Sequence, residues 1–94
     1  MVTSAQIRAA RSLIGLSQGQ VADATGLSVP TIKRAESQRG LGASRAAVEA
    51  IRVALEEAGV IFLAEGGEGA GVRLRKSTRA EGLRPDELNA ANDD

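Results

Sequence analysis

The side chains that could do chemistry in this sequence are cations, amides and hydroxyls. The chain has no Cys and no His. That removes thiolate zinc ligands, a cysteine nucleophile, the usual general base and the commonest metal ligand. Its one aromatic side chain is Phe62, so base stacking of the kind used by single-strand RNA modules is not expected. What remains is electrostatic. Residues 1–45 carry Arg8, Arg11, Lys33, Arg34, Arg39 and Arg45 against Asp23 and Glu36, six against two and a local excess of four. Residues 46–94 carry six basic and ten acidic side chains, a deficit of four. The overall balance is zero, but an anionic partner responds to the face presented and not to the sum. Read blandly, the asymmetry is only a solvated surface. The glycine-rich stretch 65–71 is a second candidate, because repeated glycines can cradle a phosphate. No Lys-Ser or Lys-Thr follows it directly and no helix opens there, so the expectation is a hairpin loop. No catalytic residue, metal ligand or cofactor is expected: the chain binds something and is not an enzyme.

The elements that must position these groups can be read from start and stop signals. Ninety-four residues suit one small core. No apolar run approaches the roughly 18 residues needed to span a bilayer, and no basic segment followed by an apolar stretch marks a secretory leader. Thr3 with Gln6 reads as a capping box, followed by Ile7, Ala10, Leu13 and Ile14 at helical spacing and Gly15 as the stop. Ser17 with Gln20 repeats the pattern and opens a helix through Ala24 that faces Val21 inward. Thr25-Gly26-Leu27 is a tight turn, and Ser28 caps a third helix with Pro30 in its first turn. Ser44 opens a longer helix to about Ala58, with Val48, Ile51 and Leu55 as its stripe. The expected core is Ile7, Leu13, Val21, Ile32, Val48, Ile51 and Leu55. Val60-Ile61-Phe62-Leu63 and Val72-Arg73-Leu74-Arg75 read as two strands of a hairpin, with Arg73 and Arg75 turned outward. The division is a domain over 1–58, a hairpin extension over 59–76 available for a dimer or partner contact, and a polar tail over 77–94 expected to be disordered.

The informative stretch runs from Gln18 to Ala35. Two short helices flank a turn of about three residues, Ala22 lies where they cross, and Val21, Leu27 and Ile32 seal the underside. Such a pair leaves the outer face of the second helix able to enter a DNA major groove. The sequence here resembles the Cro/C1-type (XRE) helix-turn-helix family. The matching residues are Leu16-Ser17-Gln18, Val21-Ala22, Thr25-Gly26-Leu27-Ser28 and Thr31-Ile32-Lys33-Arg34-Ala35-Glu36. The resemblance covers 3–58, and the segments 58–62 and 71–75 are similar to the tail of small alphaproteobacterial members. It implies a mainly α fold: a four- to five-helix helix-turn-helix domain, then a short β-hairpin and a disordered tail.

The resemblance also implies roles. Gln18 is similar to the family residue that hydrogen-bonds a phosphate and packs on the recognition helix. Ser28, Val29, Pro30, Thr31 and Arg34 match positions facing base edges or flanking phosphates, and Lys33 and Arg39 are placed for backbone contact. Arg34 can fork onto guanine N7 and O6, worth ~1–3 kcal/mol of discrimination. Val29 and Pro30 depart from the pattern, since polar residues commonly sit there; they can touch a thymine methyl but donate nothing. Glu36 is expected to tie its helix to its surroundings. The implied function is a sequence-specific DNA-binding transcriptional regulator, a repressor, reading the major groove of double-stranded DNA with helix 28–36. It would act as a homodimer in the bacterial cytoplasm, on the nucleoid when bound, with 59–75 as the dimer element because its strands lack other support. No membrane contact and no small-molecule ligand is expected. A different reading stays open: the fold serves as a protein-binding antiactivator that masks a transcription factor. Neutral charge, the apolar Val29-Pro30 pair and the acidic tail favour it. In that case Gln18 and Ser28 act as caps alone and Arg34 is a solvated helix residue.

Overall fold

A computed structural model describes residues 2–37 and 43–76 of the 94-residue chain. Four helices precede two strands among the described residues: α1 (Ser4–Ile14), α2 (Gln18–Thr25), α3 (Val29–Glu36), α4 (Arg45–Glu57), β1 (Val60–Leu63) and β2 (Gly71–Leu74). None of the helices is long and apolar enough to cross a membrane. The expected tail, 77–94, lies outside the described residues.

Every helix starts where a side-chain oxygen can satisfy its orphan N–H groups. Thr3 and Ser17 form complete capping boxes with Gln6 and Gln20. Ser28 accepts from the N–H of Thr31, and Ser44 from that of Ala47. Such a cap is worth about 1 kcal/mol. Helices α1 and α2 end on Gly15 and Gly26, both left-handed. A Cβ at Gly26 would meet nothing within 4 Å, so only its φ of 77° demands glycine. Gly26→Ala should therefore cost about 1–2 kcal/mol, the left-handed penalty alone. A urea titration should show a lower midpoint at an unchanged slope.

The helices close around Ile7, Ala10, Val21, Ile32, Ala35, Val48, Ile51 and Leu55, with Val60 entering from β1. Ala22, expected at the α2–α3 crossing, is buried, and Leu27 packs against the core. Leu13 is a correction. It was expected in the core and is 44% exposed. The inward stripe of α1 runs through Ile7, Ala10 and Ile14, and Leu13 lies roughly a quarter turn off its centre.

The strands pair antiparallel, Val60 opposite Leu74 and Leu63 opposite Gly71. β2 thus starts one residue earlier than the alternation suggests. Arg75 lies just past its end, although its N–H still donates to the Gly59 carbonyl at 2.7 Å. The hairpin is supported. Val60, Phe62 and Val72 pack on the helices, and the Gln6 side chain donates to the carbonyls of Leu63 and Gly71, both at 3.0 Å. Because Gln6 Oε1 accepts from the Thr3 N–H, its amide has a partner for each of its two donors and for its oxygen.

Candidate nucleic-acid interface

The inner face of α3 is settled by Ile32, Ala35 and Glu36, all buried. That rotation leaves Ser28, Pro30, Lys33 and Arg34 exposed, with Val29 and Thr31 half-buried. Val29 packs against the core, so part of its surface is already spent on folding. Along the outer face a chain of polar contacts links positions three apart. Ser28 Oγ and Thr31 Oγ1 are 2.9 Å apart, and Arg34 Nη2 donates to Thr31 Oγ1 at 3.1 Å. This spacing stacks the three side chains into one stripe, and Lys33 is exposed elsewhere on the same helix. Ser28 both caps the helix and opens the stripe, so the capping and surface roles do not compete.

The far end of α3 is held by Glu36, which is 5% exposed. Arg11 grips its carboxylate with both arms of the guanidinium, Nε to Oε2 at 2.7 Å and Nη2 to Oε1 at 3.1 Å. Gln18 Nε2 adds a third donor to Oε1 at 3.1 Å. Arg8 reaches the Glu36 carbonyl, and Arg11 Nη1 also donates to the Leu16 carbonyl at 3.1 Å. The hydrogen bonds to Glu36 hold the Arg11 guanidinium above its ordinary range. One acidic side chain thereby joins α1, the start of α2 and the end of α3.

Compared with known proteins, the chain matches no family model and no curated sequence.

Of the sequence-derived positions, Val29, Pro30, Thr31, Lys33 and Arg34 lie on α3 and Ser28 caps it, and Gln18 is tied to the end of that helix through Glu36. Arg39 lies outside the described residues. Sequence reasoning missed Arg8 and Arg11. Their signal was available: two arginines one turn apart on a helix, in a half-chain whose acidic residues are Asp23 and Glu36. Part of the charge of the described chain is grouped by element. Arg8 and Arg11 bond to Glu36 at the end of α3, and Lys33 and Arg34 are exposed on that helix. Helix α4 carries Glu49, Glu56 and Glu57. There Arg52 sits between Glu49 and Glu56, one turn to either side, and the hydrogen bond from Arg52 pulls Glu49 below the usual carboxylate range. A net charge of zero is therefore compatible with a cationic face.

Proposed function

We propose that the chain is a Cro/C1-type helix-turn-helix regulator, a repressor that reads the DNA major groove with α3. The carrying observation is the Ser28–Thr31–Arg34 stripe on the outer side of a helix that also exposes Lys33 and whose other end is anchored by the buried Glu36. A reading helix has to hold its donors at fixed positions relative to the base edges, and the grip of Arg11 and Gln18 on Glu36 supports that requirement. Arg34 offers a planar fork for guanine, Lys33 a point charge for phosphate.

One such helix reads few base pairs, so two copies of the chain bind half-sites about one helical turn apart. The hairpin already rests on α1 and the core, so an unsupported hairpin no longer argues for a dimer there; the argument for two copies is the length of DNA to be read.

Fluorescence-anisotropy titration against the protein's own upstream region, with random duplex as competitor at ~150 mM salt, tests this reading. Binding that survives the competitor supports it. A folded protein that ignores both duplexes overturns it and favours the masking of a protein partner. Lys33→Ala should weaken binding to every duplex alike and reduce the salt slope by about one. The same titration repeated across a salt series reads both effects.

A further inference from the structure

The outer edge of β2 has the backbone groups, side chains and charge of a strand-docking site. In the antiparallel ladder, residues opposite one another alternate between pairs that exchange hydrogen bonds and pairs that do not. The bond from the Arg75 N–H to the Gly59 carbonyl fixes the phase. With Ile61 opposite Arg73 and Leu63 opposite Gly71, those pairs bond inward. Val72 and Leu74 then aim their N–H and C=O groups away from β1. Among the described residues no backbone bond from another element reaches them. An unpaired edge is a template for another strand.

Its side chains narrow the choice of strand. Leu74 sits opposite the fully buried Val60 on the helix side of the hairpin, yet is 52% exposed. It is an apolar side chain at the rim with half its surface uncovered. Arg73, Arg75 and Lys76 are exposed. Arg73 forms no ion pair with a described residue, and the Arg75 guanidinium donates to a carbonyl, that of Glu56.

A second copy fits this edge poorly. Antiparallel self-pairing centred on Arg73 sets Arg73 against its own copy, and pairing centred on Leu74 sets it against Arg75. Like charges directly opposite one another are destabilising. Centring on Val72 runs the pairing toward Gly69, whose φ of 88° is not extended.

We propose that the β2 edge takes up an extended segment of a different protein, in which acidic residues alternate with apolar ones. The partner's backbone pairs with Val72 and Leu74, its apolar side chains cover Leu74, and its carboxylates meet Arg73 on the opposite face. Recognition by strand addition draws affinity from the backbone and specificity from alternate side chains. This surface is independent of α3 and stands whether or not α3 reads DNA.

The test uses the full chain, labelled with 15N, and a capped octapeptide of alternating valine and glutamate. The peptide should shift the Val72 and Leu74 amides, slow their hydrogen exchange about tenfold and leave the α3 amides unmoved. An octapeptide of alternating valine and lysine should do neither. Leu74→Pro removes an outward donor while sparing the ladder to β1, and should abolish the response. Arg73→Glu, on the solvent side, should reverse the preference between the two peptides, and tests the idea should the proline variant not fold. No response to the glutamate peptide, an equal response to both, or an unaltered response in the folded Leu74→Pro variant overturns the proposal. So does concentration-dependent protection of Val72 and Leu74 without peptide, which would assign the edge to self-association.

Discussion

Glu36→Ala should unfold the domain at markedly lower denaturant, with a loss of about 3 kcal/mol. The carboxylate is 5% exposed and accepts three hydrogen bonds, two from Arg11 and one from Gln18. Removing one partner of a buried pair costs about 3–5 kcal/mol because the other charge is left uncompensated. The low end applies here, since the Arg11 side chain is 25% exposed and can recover some water. For a domain of this size the loss lowers the melting temperature by roughly 12–24 °C. Glu36→Gln keeps an oxygen for the Arg11 fork and should lose less. Equal losses in the two variants would show that charge, and not shape, holds α3.

Arg34→Ala should relax sequence discrimination without touching stability. Its guanidinium lies on the exposed face of α3 and contacts Thr31 at 3.1 Å, and surface substitutions of this kind usually change stability by less than about 0.5 kcal/mol. If α3 reads DNA, losing a bidentate guanine contact costs about 1–3 kcal/mol, some 5- to 150-fold in affinity for the preferred duplex. Random duplex should lose far less. Competition titrations against duplexes varied one base pair at a time would locate the affected position. A uniform loss across all duplexes would reduce Arg34 to a phosphate contact.

The local grammar of the fold was readable. The caps at Thr3, Ser17, Ser28 and Ser44 and the stops at Gly15 and Gly26 depend on residues a few positions apart, and the chain states such relations directly. What it hides is which distant group completes each local one. Gln6 could be placed in a capping box, but that role uses its oxygen and says nothing of the two donors that reach Leu63 and Gly71. Glu36 could be expected to anchor its helix, while its partner Arg11 lay 25 residues away. Leu13 passed the periodicity test and still fell at the rim of the stripe. On the candidate interface, the rotation of α3 followed from Ile32 and Ala35, so its outward residues were legible; the cationic support from Arg8 and Arg11 was not.

The attachment of the hairpin has a kinetic side. Gln6 meets its carbonyl partners 57 and 65 residues further along the chain, whereas Gln18 meets Glu36 across 18. Loop closure grows more costly with the logarithm of the span, and non-local contacts form late. The packed pair α2–α3 can therefore assemble before the hairpin is seated. Docking of the strands onto α1 is then expected late in folding. A folding chain would present the outer face of α3 while the strand edge is still being built.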